Sequence, residues 1–182
     1  MSYIEDKLTL KFEKIASIDI AIDFNFNIVS KIYKILRNSN LDIKILNKVY
    51  NIDDNIPVIT HASGTRLKLL ENKSLSIVSK SRDLGLYAYN KSREIAENGN
   101  SKQYINETNQ FKETETTYRL EIRCNHKELR HTLEALRMTE DEVYMLAIGN
   151  NIERLGEIYI HLLNRIMMVR IGRKSQSILT FF

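Results

Sequence analysis

Residues 117–124 read Thr-Tyr-Arg-Leu-Glu-Ile-Arg-Cys, in which charged and apolar side chains alternate. Leu120, Ile122 and Cys124 share one face of an extended chain, because successive side chains of a strand point to opposite sides. The other face carries three charged side chains, Arg119, Glu121 and Arg123. Such alternation is typical of a strand that is buried on one side and solvated on the other. The stretch therefore predicts a sheet with one covered face and one polar face.

The same two-residue period appears earlier in the chain. Residues 15–24 set isoleucines against Asp19 and Asp23, and residues 84–90 set leucines and an alanine against two tyrosines. Asn72-Lys73 fits a two-residue turn between two further strands. The predicted strands are 15–24, 41–50, 57–60, 65–71, 74–79, 84–90 and 117–124.

Helices are predicted where a capping residue precedes apolar residues at helical spacing. The first helix follows Asn25 or Asn27, and the second follows the capping box Asn125-His-Lys-Glu128. The third follows a second capping box, Thr139-Glu-Asp-Glu142, and ends near Gly149. The fourth covers residues 151–170. The order of strand, helix, several strands and then helices predicts an α+β fold, an antiparallel β-sheet with helices on one face.

The length of 182 residues suits a single domain. We expect residues 1–138 to form a catalytic-type sheet domain, and residues 139–182 a C-terminal helical segment with a basic tail, packed on the same domain. Six glycines and one proline argue against glycine-rich phosphate loops. The single cysteine, Cys124, excludes a disulfide framework and a thiolate metal cluster.

No apolar run reaches the length of a signal peptide or a transmembrane helix. We therefore expect a cytoplasmic protein without a membrane partner. The net charge is +4, from 27 basic and 23 acidic side chains. Residues 61–93 hold seven basic and two acidic side chains, a net charge of +5. This stretch is either a solvated sheet face or a surface that meets a polyanion.

Three carboxylates lie on the polar sides of two predicted strands: Asp19, Asp23 and Glu121. If these strands pair, the carboxylates could converge on one sheet surface and hold Mg²⁺ or Mn²⁺, which prefer oxygen ligands. The alternative is that each carboxylate pairs with an arginine across the strands.

Tyr89 ends the basic stretch, in the sequence Tyr87-Ala-Tyr-Asn-Lys91. A tyrosine hydroxyl titrates near pH 10, so a tyrosine nucleophile needs a nearby cation or metal. Lys91, expected on the same strand face, and Arg93 are the candidate cations. The alternative roles of Tyr89 are packing on the sheet or stacking on a base.

Three segments, taken in order, resemble the replication initiation factor family of rolling-circle plasmids (Rep-trans type) and related phage and mobile-element initiators. They are Ser17-Ile-Asp-Ile-Ala-Ile-Asp23, then Lys80-Ser-Arg-Asp-Leu-Gly-Leu-Tyr-Ala-Tyr-Asn-Lys91 with the following Ser-Arg-Glu94, and Tyr118-Arg-Leu-Glu-Ile-Arg123. The resemblance covers roughly residues 12–130.

The resemblance implies a replication initiator that nicks and rejoins DNA at an origin by a metal-dependent tyrosine transesterification, which leaves a 5′-phosphotyrosine link. It implies Tyr89 as the nucleophile. It implies a metal held by Asp19 and Glu121, with Asp23 as a further ligand. The catalytic Lys91, with Arg119 and Arg123, would neutralise the phosphate charge that grows in the transition state.

DNA is the predicted partner, as a single-stranded or cruciform origin, with a host helicase and a second copy of the chain as further candidates. The alternative function is a non-catalytic module that binds single-stranded nucleic acid, or a replication accessory subunit. The predicted nucleic-acid-binding residues are Arg66, Lys68, Lys80, Arg82, Tyr87, Arg93, Arg119 and Arg123.

Overall fold

A computed structural model describes most of the chain and confirms the α+β fold. The described residues are 14–38, 40–46, 48–50, 58–60, 65–70, 73–97, 116–143 and 152–182. Their strands are β1 (Ser17–Phe24), β2 (Asp42–Ile45), β3 (Lys48–Tyr50), β4 (Val58–Thr60), β5 (Arg66–Leu70), β6 (Ser74–Val78), β7 (Leu84–Asn90), β8 (Tyr118–Asn125), β9 (Met167–Ile171) and β10 (Lys174–Ser177).

The strands form two antiparallel sheets. The main sheet has six strands in the order β1-β8-β7-β6-β5-β4, and the second sheet has four in the order β10-β9-β2-β3. In the main sheet, β4 to β7 follow one another as a meander, and β8 lies between β7 and the edge strand β1.

The helices begin at the predicted caps. Asn27 accepts a hydrogen bond from the Ser30 backbone at 2.9 Å, and Asn125 accepts one from the Glu128 backbone at 3.1 Å. Thr139 forms its predicted capping box with Glu142, but the predicted end of that helix near Gly149 lies outside the described residues. The labelled helices are α1 (Ile28–Leu36), α2 (Lys91–Glu97), α3 (His126–Leu136) and α4 (Ile152–Ile166), and a 3₁₀ turn covers Ile178–Phe181.

One hydrophobic core joins the two sheets and the helices. The apolar face of the main sheet supplies Leu86, Leu120 and Ile122, which are completely buried. Residues of the second sheet and of α4, such as Val169 and Leu162, belong to the same buried cluster. Cys124 is buried there too, and burial raises the pKa of its thiol to about 12, as expected for an inert side chain.

The C-terminal segment differs from its prediction. The helix predicted over residues 151–170 ends at Ile166, and residues 167–177 form the β9–β10 hairpin instead of a helix and basic tail. Val169 is buried, and it lies three residues after Ile166, as on a helical stripe, and two residues after Met167, as on a strand face, so its spacing did not distinguish the two. The segment is a strand because β9 pairs with β2, with Ile43 opposite Val169.

Within the described ranges, no helix combines the length and the apolar character needed to span a bilayer.

Candidate functional site

The strand register brings the predicted site residues onto one face of the main sheet, which we call the polar face. Cross-strand partners lie on the same face, so the pairings define three rows that run across β5, β6, β7, β8 and β1. The Tyr89 row is Leu70, Ser74, Tyr89, Arg119 and Asp23; the Tyr87 row is Lys68, Ser76, Tyr87, Glu121 and Ala21; the Gly85 row is Arg66, Val78, Gly85, Arg123 and Asp19.

Tyr89 and Glu121 form the central contact of the polar face. The Tyr89 hydroxyl donates a 3.0 Å hydrogen bond to Glu121 Oε2, across neighbouring rows. Burial raises the pKa of Tyr89 above its ordinary value, and the Glu121 carboxylate raises it further, since a negative neighbour disfavours the phenolate. The tyrosine therefore rests as a neutral hydrogen-bond donor to a carboxylate.

Asp23 and Arg119 form a bidentate ion pair in the Tyr89 row. The Arg119 Nε and Nη2 atoms lie 2.7 and 2.6 Å from the two carboxylate oxygens of Asp23. Both side chains are largely buried, with exposed fractions of 17% and 8%. The hydrogen bonds to Asp23 raise the pKa of Arg119, so this guanidinium is a fixed positive charge directly opposite Tyr89.

Asp19 and Arg123 form the corresponding pair at the exposed end of the face. Arg123 donates to both oxygens of Asp19, with its shortest contact 2.8 Å from Nη2 to Oδ2. The same Nη2 lies 3.4 Å from Glu121 Oε1. A continuous polar chain therefore runs from Asp19 through Arg123 and Glu121 to Tyr89.

Tyr87 lies beside this chain, and Gly85 makes room for its ring. A Cβ atom on Gly85 would lie only 2.9 Å from the Tyr87 ring, so a larger residue there would force the tyrosine to move. The ring centroid is 5.8 Å from the Arg123 guanidinium carbon, a cation–π contact. A glycine inside a strand is a sequence signal for such a close approach, and sequence reasoning did not use it.

The three predicted metal ligands share the polar face, where Asp19 and Glu121 contact the same Arg123 Nη2 atom and Asp23 lies apart from Asp19. Asp19 and Asp23 are four residues apart on β1, which corresponds to about 13 Å along a strand. The carboxylate oxygens of all three acids receive hydrogen bonds or lie near donors from Arg119, Arg123 and Tyr89. In the part of the chain that is described, no three His, Cys, Asp or Glu side chains are grouped to hold a metal ion. This arrangement does not fit one divalent ion shared by all three carboxylates.

Lys91 and Arg93 occupy a different position from the one predicted. Lys91 is the first residue of α2 instead of a residue on the strand face, is 2% exposed, and pairs with Glu94. Its Nζ atom lies 5.6 Å from the centroid of the Tyr89 ring. Arg93 is exposed and forms an ion pair with Glu97 at 2.7 Å. Each cation therefore has an acidic partner within α2.

A cleft of about 270 Å³ adjoins Tyr89 where β7 gives way to α2. Lys73, from the turn before β6, contributes an exposed positive charge that sequence reasoning did not assign to the site. The cleft is lined by Lys73, Tyr89, Asn90, Arg93, Glu94 and Glu97. Tyr89 is among the lining residues, whereas Glu121, which accepts the hydrogen bond from the Tyr89 hydroxyl, is not.

The remaining predicted basic residues divide into two groups. Arg66 and Lys68 lie exposed on the polar face, in the Gly85 and Tyr87 rows. Lys80 and Arg82 are exposed in the connection between β6 and β7. This connection leads into the first residue of β7, which is roughly 17 Å from Tyr89 along the strand. Only the first group shares the face with the tyrosines.

Comparisons of the chain with protein-family models, with curated proteins and with solved structures found no match. The resemblance to the replication initiation factor family therefore stays a prediction that rests on the three quoted segments.

Proposed function

We propose that this protein nicks and rejoins DNA, with Tyr89 as the attacking nucleophile and the polar face as the surface that receives the strand. The observation that carries the proposal is the 3.0 Å hydrogen bond from Tyr89 to Glu121 Oε2. Nucleophilic catalysis needs a nucleophile, a base within hydrogen-bond distance and a third group that orients the base. Arg123, 3.4 Å from the second oxygen of Glu121, is that third group.

Glu121 supplies what Tyr89 lacks at rest. Because burial and the nearby carboxylate raise the pKa of Tyr89, the hydroxyl is protonated at neutral pH and must lose its proton during the attack. The Glu121 oxygen already accepts the hydrogen bond from this hydroxyl. It is therefore the group in position to receive the proton.

The proposed step is a transesterification that needs no reactant besides the DNA, the protein and water. The Tyr89 oxygen forms a bond to phosphorus, and the bond from phosphorus to the 3′ oxygen of the preceding nucleotide breaks. The Tyr89 proton passes to Glu121, the departing 3′ oxygen takes a proton from water, and the hydroxide so formed takes the proton from Glu121, which restores the carboxylate and the water. The products are a free 3′ hydroxyl and a 5′ phosphate joined to Tyr89, and the reverse step rejoins the strand.

Positive side chains on the same face support this assignment. Arg119 lies directly opposite Tyr89, where its charge would oppose the negative charge that grows on the attacked phosphate. Arg66 and Lys68 are exposed two strands away and would contact the phosphates of neighbouring nucleotides, which fix the position of a strand.

The proposal is tested by incubating supercoiled plasmid and single-stranded circular DNA with the protein, with Mg²⁺ or Mn²⁺ supplied. Wild-type protein should nick the DNA, and Tyr89→Phe should lower the rate by at least about 1,000-fold, as removal of a nucleophile does. Tyr87→Phe is the matched control, one row away on the same strand, and should nick within about threefold of wild type. Equal nicking by Tyr89→Phe and wild type would show that the nucleophile is another group.

A second candidate, a non-catalytic module for single-stranded nucleic acid, is favoured by the two tyrosines themselves. Tyr87 and Tyr89 are half-buried on the polar face, with the exposed Lys68 in the Tyr87 row. Aromatic rings that stack on bases, together with basic side chains along the backbone, suffice for such binding. This function predicts binding that weakens steeply with salt, needs no metal, leaves no covalent adduct and is insensitive to Asp19→Ala.

The proposal includes DNA as the partner and the cytoplasm as the compartment. Binding of Mg²⁺ or Mn²⁺ stays a prediction, and no step above passes through it, since the carboxylates are engaged with arginines and Tyr89. Calorimetric titration of the wild type and of Glu121→Gln with Mn²⁺ alone measures it. Binding that is lost in Glu121→Gln would support a metal at this face, and equal binding by both proteins would argue against Glu121 as a ligand.

A further inference from the structure

The β9–β10 hairpin ends in a segment whose side chains are all exposed. Residues 170–176 are exposed without interruption, whereas Met167 and Val169, at the base of the hairpin, are completely buried. A strand that packs on one side buries every second residue. Both faces of the hairpin are therefore solvated beyond Val169, and we call residues 170–176 the hairpin finger.

The hairpin finger is short and well anchored. Ile171 pairs with Lys174 across a two-residue turn of Gly172 and Arg173, and Gly172 has a φ of +59°. Glycine at the first turn position is the requirement of a type II′ hairpin, whose twist suits the flanking strands. The Arg170 Nε atom donates a 2.9 Å hydrogen bond to the Gly172 carbonyl. The finger therefore presents its side chains on a defined ribbon.

The charge of the finger is uniformly positive. It carries Arg170, Arg173 and Lys174, and the sequence contains no acidic residue after Glu157. Where β2 pairs with β9, Asp42 lies opposite Arg170, the first residue of the finger. The tip also exposes Ile171, 47% of whose surface is solvated. Basic, polar and apolar side chains thus occur together on an exposed ribbon.

We infer that the hairpin finger binds duplex DNA by lying in the major groove as a two-stranded ribbon. The major groove, about 12 Å wide, admits such a ribbon, whereas the deep, narrow major groove of duplex RNA does not. Arg173 and Lys174 at the tip contact phosphates, and Ser175 and Gln176 are side-chain types that hydrogen-bond to base edges. Ile171 is of the apolar type that contacts thymine methyl groups.

This inference deepens the proposed function, because a strand-transfer enzyme must also hold the duplex beside its cleavage point. Its test uses an untailed 20-base-pair DNA duplex, a single strand of the same length and a duplex RNA, with binding followed by fluorescence anisotropy against salt concentration. None of these measurements requires cleavage. The inference about the finger can therefore be contradicted while Tyr89 is still found to nick DNA. Equally, duplex binding by the finger can be found in a protein that does not nick.

The variant is Arg173→Gln with Lys174→Gln, whose exposed side chains leave the core untouched. The matched control is Lys127→Gln with Arg130→Gln on α3, which removes the same charge from another exposed surface. The finger variant should bind duplex DNA on the order of 50-fold more weakly at 0.1 M salt and flatten the log–log salt slope by about 2. Single-stranded DNA should bind the variant as it binds wild type.

Three results would overturn the inference. One is a loss of duplex binding by the α3 control as large as that of the finger variant, since this would reflect net charge alone. Another is a loss of single-stranded DNA binding by the finger variant that is as large as its loss of duplex DNA binding, which would assign the finger to single strands. The third is an equally large loss of duplex RNA binding, which would exclude recognition through the major groove.

Discussion

The polar face holds the same three residue types twice, and the two sets differ in burial. The inner set is Tyr89, Arg119 and Asp23, and the outer set is Tyr87, Arg123 and Asp19. In the inner set the ion-paired side chains are 17% and 8% exposed, and in the outer set they are 56% and 45% exposed. Both arginines make two-pronged contacts with their aspartates, so pairing alone does not distinguish the sets.

Environment, and not residue type, separates a candidate nucleophile from its neighbour on this face. Tyr89 donates to Glu121 in a partly desolvated position, where an electrostatic interaction is stronger than in water. Tyr87 instead lies over Gly85 and beside an exposed guanidinium. The proposed nucleophile therefore belongs to the inner set, and Tyr87 and Asp19 of the outer set provide the matched control positions for the nicking experiments.

The largest expected effect is that of removing the proposed base. Glu121→Gln keeps the shape of the side chain but cannot take the Tyr89 proton, so nicking should fall about 1,000-fold. Asp19→Asn, in the outer set, should change the rate by less than about threefold. Nicking is measured as conversion of supercoiled to open-circular DNA. A fall in Asp19→Asn as deep as that in Glu121→Gln would contradict this ranking and favour the predicted metal site.

The next effect concerns stability. Arg119→Leu takes the bidentate guanidinium from a carboxylate that is 8% exposed, which should lower the free energy of unfolding by about 3 kcal/mol. Arg123→Leu opens an exposed pair and should cost about 0.5 kcal/mol. Urea denaturation of the two variants and the wild type gives both values. Equal losses in the two variants would show that burial does not separate the two sets.

The smallest effect is a dependence on alkaline pH. Because the pKa of Tyr89 is raised in the folded protein, its contribution to stability is fully present below the ordinary tyrosine pKa near 10 and is lost as pH rises toward the folded value. Above pH 10, the free energy of unfolding should fall faster in wild type than in Tyr89→Phe. The difference between the two proteins should be at most about 1 kcal/mol per pH unit. Urea denaturation at pH 8, 10 and 11 measures the difference, and parallel curves would contradict the raised pKa.

Much of the fold follows from local sequence. The alternation in residues 84–90 predicts β7 with the bounds that it has, since one buried face and one polar face suffice to define a strand. The caps at Asn27 and Asn125 likewise act within one helical turn. The end of α4 could not be predicted in this way, because the partner that turns Met167–Ile171 into a strand is β2, far away in sequence.

The site is predictable only in its outline. Alternation assigns Asp19, Asp23 and Glu121 to polar faces, but a shift of β1 against β8 by two residues would keep every face and place Glu121, instead of an arginine, opposite one of the aspartates. The register alone determines that Asp23 meets Arg119 and that Asp19 meets Arg123. Burial of one pair and exposure of the other depend on the surrounding packing, which residue spacing does not contain.

The most direct test of the central proposal is to identify the tyrosine that becomes linked to DNA. The protein is incubated with a pool of random single-stranded oligonucleotides and Mg²⁺ or Mn²⁺, digested with trypsin and nuclease, and analysed by tandem mass spectrometry of the peptide that spans residues 83–91. The proposal predicts a nucleotide joined through its 5′ phosphate to Tyr89. An adduct on Tyr87, or no adduct on this peptide while the DNA is nicked, would contradict it.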